Sequence, residues 1–133
     1  MSPKKKSIGK IIKPGNVNVW PHEEVTAKVL ALAGYNVEFI PCGKRAGENS
    51  ADAYLDGVKW EMKAPRAGSL KAVERNLKRG RWQSDKIIFD SRRMKGVPDK
   101  AIERELRKRF DEIDGINEIM FINRHGNIID IRQ

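Results

Sequence analysis

One cysteine, Cys42, occurs in the 133 residues, so no internal disulfide framework can brace the fold. Only His22 and His125 are available as bases, and neither lies near Cys42 in sequence, which points this thiol to a structural role instead of nucleophilic catalysis. No apolar run approaches the roughly 18 residues of a membrane-spanning helix. The N-terminus carries charge without the apolar stretch of a secretory signal. These absences lead to the expectation of a soluble chain without signal peptide or membrane contact, and the lone cysteine leaves the compartment open with a lean to a reducing one such as the cytoplasm. Acid is also in deficit, with 18 Asp and Glu against 27 Lys and Arg, a formal net charge of +9. A field of that sign attracts phosphodiester backbones. What remains, 39% hydrophobic residues in one modest chain, suffices for a single domain with its own core.

Residues 1–19 combine Lys4, Lys5, Lys6, Lys10 and Lys13 with Pro3, Gly9, Pro14 and Gly15, a composition expected of a flexible basic arm. From Pro21 the pattern becomes helical, with Val25, Val29, Leu30 and Leu32 among alanines and Gly34 as the stop. Residues 35–40 alternate as a strand ended by Pro41, and 42–50 read as a charged, Gly-containing loop. A second helix over 69–79 places Leu70, Val73 and Leu77 on one face and Lys71, Glu74, Arg75, Lys78 and Arg79 elsewhere. Residues 86–90 form a short buried strand. A third helix, opened by Pro98, repeats Ile102, Leu106, Phe110 and Ile113 and carries two helix-compatible ion pairs, Glu103 with Arg107 and Glu105 with Arg109. Strands at 118–122 and 128–131 close the chain as a hairpin. The predicted class is α/β, a three-layer-like sandwich with a mixed central sheet.

The most informative segment lies between the first two helices. Asp56-Gly57 between two alternating runs predicts a two-residue type I′ turn. Counting outward pairs Leu55 with Val58, Tyr54 with Lys59, Ala53 with Trp60 and Asp52 with Glu61. Leu55, Val58, Trp60 and Met62 then face the core, while Asp52, Tyr54, Lys59, Glu61 and Lys63 share the other face. Carboxylates directly opposite have Cβ atoms roughly 4.5 to 5.5 Å apart and repel. A divalent cation reverses that sign, and oxygen-only ligands suit Mg²⁺ or Mn²⁺. A lysine in phase can position water or offset charge on a transition state. The bland alternative is a solvated strand on which Lys59 and Lys63 neutralise the two acids.

The order helix, three strands, helix, strand, with a Glu on the first helix, an Asp on the second strand and Glu-x-Lys on the third, resembles the PD-(D/E)XK nuclease superfamily. Within it the chain resembles the CdiA C-terminal tRNase-type toxin domains. The matching stretches are His22-Glu23 with Ala27-Lys28, residues 34–40, Ala51-Asp52 with Asp56-Gly57, residues 60–65 and residues 83–90. Ala51 stands where the superfamily motif has Pro. The resemblance implies a PD-(D/E)XK-like α-β-β-β-α-β core plus C-terminal helix and hairpin, a nuclease-like domain over 20–133, and a metal-dependent endonuclease cutting tRNA. By it Glu23, Asp52, Glu61 and Lys63 are catalytic: Asp52 and Glu61 bind Mg²⁺ or Mn²⁺, Lys63 assists the water, and Glu23 adds a ligand or orients one. Glu24 competes with Glu23 for that place. An acidic immunity protein is the partner implied.

Around these residues, Gln83 is read either as a donor at the site edge or as an amide satisfying loop backbone. Trp82 is read either as core or as a stacking surface for an unpaired base, and Trp60 as core. Lys71, Arg75, Lys78 and Arg79 are candidates for substrate phosphates. His22 is assigned to a helix terminus and His125 to a turn. Three rivals stay open: a DNA endonuclease of the same superfamily, a metal-independent RNase using His22 and His125, and a non-catalytic basic nucleic-acid-binding module.

Overall fold

The structure, a computed structural model, describes residues 7–15, 17–41 and 50–131. Lys4, Lys5, Lys6, Cys42 and the loop over 42–49 lie outside the described residues. The elements run β1 (Ile11–Ile12), α1 (Pro21–Leu32), β2 (Val37–Phe39), β3 (Ser50–Leu55), β4 (Val58–Lys63), α2 (Leu70–Gly80), β5 (Lys86–Asp90), α3 (Asp99–Glu112), β6 (Glu118–Ile122) and β7 (Ile128–Ile131). Among the described residues the sheet is mixed, with seven strands side by side in chain order. Strands β4, β5 and β6 are parallel at its centre, while β2–β3–β4 and β6–β7 are antiparallel.

The central strands alternate between two apolar layers. On one face Ile87, Phe89, Ile119 and Phe121 pack with Val73 and Leu77 of α2 and Ile102 and Leu106 of α3. On the other, Ala53, Trp60, Met62, Ile88 and Met120 pack with Ala27 and Leu30 of α1. A parallel centre buried on both sides explains why residues 86–90 read as nearly continuous apolar sequence. The two ion pairs foreseen on α3 form, Arg107 to Glu103 at 2.9 Å and Arg109 to Glu105 at 2.7 Å. Among the described residues no helix is long and apolar enough to cross a membrane.

Two expectations need correction, and the facing of α1 is a further finding. Within the stretch read as a flexible arm, Ile11 and Ile12 pair in parallel with Val37 and Glu38, and Lys10 N donates to Asn36 Oδ1 at 2.9 Å. Val58, expected in the core, is 45% exposed because it sits at the tip of its hairpin, beyond the reach of α1. On α1, Val25 and Leu32 face outward while Thr26 is buried, because the Thr26 hydroxyl donates to buried Asp90 Oδ2 at 2.6 Å.

The β3–β4 turn has the expected shape: Asp56 and Gly57 both take positive φ, 49° and 87°, as a type I′ turn demands. Asp56 Oδ1 also accepts from Asn36 N at 2.9 Å, tying the turn to the approach to β2. Replacing Gly57 with alanine puts a Cβ into this left-handed conformation and is expected to destabilise the domain by about 1 kcal/mol or more. A denaturant midpoint that falls with an unchanged slope is the check.

Candidate active site

The register of the hairpin decides which side chains meet. Asp52 stands opposite Glu61, with Tyr54 opposite Lys59 and Ser50 opposite Lys63, as counted from the turn. Glu61 is 1% exposed and Lys63 is buried beside it, with Nζ 3.3 Å from Glu61 Oε2. Asp52 is partly exposed and lies 3.6 Å from Lys59 Nζ. Two acids and two lysines therefore alternate across one sheet face.

That face is roofed by the end of α2. At Gly80 a Cβ would sit 3.4 Å from Lys63 Cε and 3.0 Å from Ile87 Cδ1, so the absent side chain lets the last helical turn descend onto the lysine stem. The turn that follows is fastened to β4 by Ser84, whose hydroxyl donates to the Lys59 carbonyl at 3.2 Å. Helix and catalytic-candidate strand are thus held together at two points.

Glu23 is placed differently. It is buried on α1, the helix that covers the opposite face, and its Oε1 accepts from Trp20 N at 2.9 Å. Its charge acts on Arg93, whose Nη1 donates to the Ala64 carbonyl at the exit of β4. Burial and the neighbouring Arg66 pull Arg93 below the usual guanidinium range, while Asp90 and Glu23 oppose that shift. Among the described residues no three His, Cys, Asp or Glu side chains gather in a group able to hold a metal ion. Glu24 turns outward to Lys13, 2.6 Å away, and this hydrogen bond holds its carboxyl below the usual range.

The remaining candidates spread along α2 and its exit. Lys71, Arg75, Lys78 and Arg79 line a shallow depression of about 490 Å³ together with Glu74 and Trp82. Gln83 is exposed in the turn, and its backbone N donates to the Gly80 carbonyl at 2.8 Å. Trp60 is in the core, but Trp82 is 77% exposed, which removes the core reading for that ring. His22 lies in the first turn of α1, its ring stacked on Trp20, and His125 is exposed in the turn between β6 and β7.

Sequence reasoning missed one cluster. Asp90, at the end of β5, is buried and accepts from Arg92 Nε at 3.0 Å and Nη2 at 2.7 Å as well as from Thr26. An Asp ending an apolar strand two residues before an Arg was the available signal. The cluster joins α1 to the sheet.

Asp52 and Glu61 fit a hard divalent ion. Both offer only oxygen, they face each other, and an ion relieves the repulsion that their pairing creates. Lys59 and Lys63 supply part of the same relief by direct ion pairing.

A family model described as the contact-dependent growth inhibition CdiA C-terminal domain matches residues 49–128, the stretch that holds Asp52, Glu61, Lys63 and all of α2. Among solved structures the chain is similar to a CdiA-CT/CdiI toxin and immunity complex from Burkholderia pseudomallei, with 20% sequence identity and a TM-score of 0.69, over 94% of this chain and 100% of that one. At that identity the likeness establishes the fold. No curated protein matches the chain. Because the family model spans more than half of its length, the chain belongs to the contact-dependent growth inhibition CdiA C-terminal domain family.

Proposed function

We propose that this domain is a metal-dependent endonuclease of PD-(D/E)XK type that acts as a toxin of contact-dependent inhibition, with tRNA in the cytoplasm of the target cell as its substrate. The observation that carries the reading is the direct opposition of Asp52 and Glu61 on one sheet face, with Lys63 in phase and buried beside them. Two like charges held against each other are costly unless a cation is part of the working state. Family membership supports the toxin role, and the net charge of +9 supports a phosphodiester substrate.

Asp52 and Glu61 would hold Mg²⁺ or Mn²⁺ through their carboxylate oxygens. When bound, such an ion polarises the scissile phosphate and lowers the pKa of a coordinated water. Lys63 Nζ, fixed by Glu61 and by the roof at Gly80, orients the attacking water and offsets the charge that builds on the phosphate oxygens. Lys59, on the exposed flank, draws the phosphate toward Asp52. Glu23 is a positioning residue here, setting the start of α1 and steadying Arg93 at the exit of β4. An acidic immunity protein is the antagonist this charge distribution favours, since complementary potentials speed capture.

Incubation of the purified domain with total tRNA and with plasmid DNA, each in Mg²⁺ and in EDTA, tests the proposal. Cleavage of tRNA in Mg²⁺ that stops on chelation is expected. Undiminished cleavage in EDTA that leaves 2′,3′-cyclic phosphate ends would overturn it in favour of a metal-independent RNase. One observation favours a second reading: each acid already has a lysine partner, as in a non-catalytic nucleic-acid-binding module. That reading predicts salt-sensitive binding without turnover in any divalent metal.

A further inference from the structure

We infer that Trp82, backed by the Arg81 guanidinium, is a stacking platform for one unpaired base, and that Lys71, Arg75 and Arg79 take the phosphates flanking it. A large aromatic ring left 77% exposed at a helix–strand junction forgoes the burial that normally places tryptophan inside. One side of the ring is engaged by Arg81, whose guanidinium carbon lies 4.7 Å from the ring centroid, while Arg81 Nη1 donates to the Asp114 carbonyl at 3.5 Å. The indole is thereby held in place without being covered. It borders the depression of about 490 Å³ on the outer face of α2.

The charge of that depression is one-sided. Glu74, its one acid among the described residues, is matched by Lys78 at 3.0 Å and Arg109 at 3.3 Å. Among the described residues Lys71, Arg75 and Arg79 have no acidic partner within ion-pair distance. An aromatic face beside uncommitted cations is the chemistry that recognises single-stranded nucleic acid, because a duplex presents phosphates but keeps its base faces stacked. The same helix end covers Lys63 at Gly80 and is fastened to β4 through Ser84, which connects the platform to the paired carboxylates. The inference rests on the nuclease reading and deepens it by naming unpaired nucleotides as the substrate class.

Fluorescence anisotropy in EDTA, where no cleavage is expected, provides the test with three labelled ligands: an RNA stem-loop, single-stranded DNA of the loop sequence, and a blunt RNA duplex. Trp82→Ala is expected to weaken binding to the stem-loop by roughly fivefold to a hundredfold, with little change for the duplex. Trp82→Phe should recover most of the loss. The salt slope should stay unchanged in Trp82→Ala and fall by about 0.7 in Arg75→Ala. A loss shared by the DNA strand assigns recognition to the base alone, and a loss confined to RNA adds the 2′-hydroxyl; both support the platform. Equal losses on all three ligands, or a Phe variant no better than Ala, overturn it. A protein that shows this binding pattern yet never cleaves in Mg²⁺ keeps the platform and sinks the nuclease reading. Cleavage with Trp82→Ala indistinguishable from the parent in binding does the reverse.

Discussion

Asp52→Asn is expected to lower the rate of phosphodiester cleavage at least roughly a hundredfold while leaving the fold intact. The substitution keeps the shape of the side chain and removes one of the two charges facing each other across β3 and β4. Its ion pair with Lys59 is partly exposed and contributes about 0 to 1 kcal/mol. The loss of repulsion toward Glu61 acts in the opposite direction. In EDTA the melting temperature of Asp52→Asn should therefore match that of the parent. In Mg²⁺ the two should separate: an ion at a hundred times its Kd stabilises the parent by about 2.7 kcal/mol, and Asp52→Asn should lose most of that. Paired melts with and without Mg²⁺ read this apart from any activity assay. Parent melts unmoved by Mg²⁺ and Mn²⁺ would remove the ion from the proposal.

Lys63→Met should be the most damaging single change in the site for stability, costing about 3 to 5 kcal/mol. It leaves the carboxylate of Glu61, 1% exposed, without the ammonium 3.3 Å away. For a domain of this size that corresponds to a fall in Tm of roughly 10 °C or more. The double variant Glu61→Leu/Lys63→Met is expected to regain the parent stability or exceed it, since replacing both members of a buried ion pair by apolar groups is often neutral or better. Leucine there joins a face that already holds Val73, Leu77 and Ile87. The double variant should be catalytically dead. A fold weakened additively by the two changes would mean that the pair is not coupled and that Lys63 is held by something other than Glu61.

The part of the site set by local rules was legible in the sequence. Asp56-Gly57 admits a turn with two positive φ angles, and once that turn is fixed the period of two places Asp52 opposite Glu61. The ion pairs of α3 were legible for the same reason, being set by a spacing of four. What escaped depends on contacts distant in the chain. Pairing of Ile11 and Ile12 with β2 spans the whole of α1, and two residues are too few to show alternation. Thr26 is buried because of Asp90, 64 positions away, which no helical periodicity around Thr26 reveals. The depth of Glu61 and Lys63 likewise comes from α2, whose descent at Gly80 is a matter of helix against sheet. Trp82 stood open between core and stacking surface because the residue type favours burial, and the ring lies outside.

The strictly sequential order of the sheet governs how the chain can regain its shape. Each strand finds its partner in the next one along the backbone, so no pairing waits for the far terminus. The antiparallel pairings, β3 with β4 and β6 with β7, close over the shortest stretches, and the parallel ones, each closing across a helix, are the slower steps of renaturation after complete unfolding.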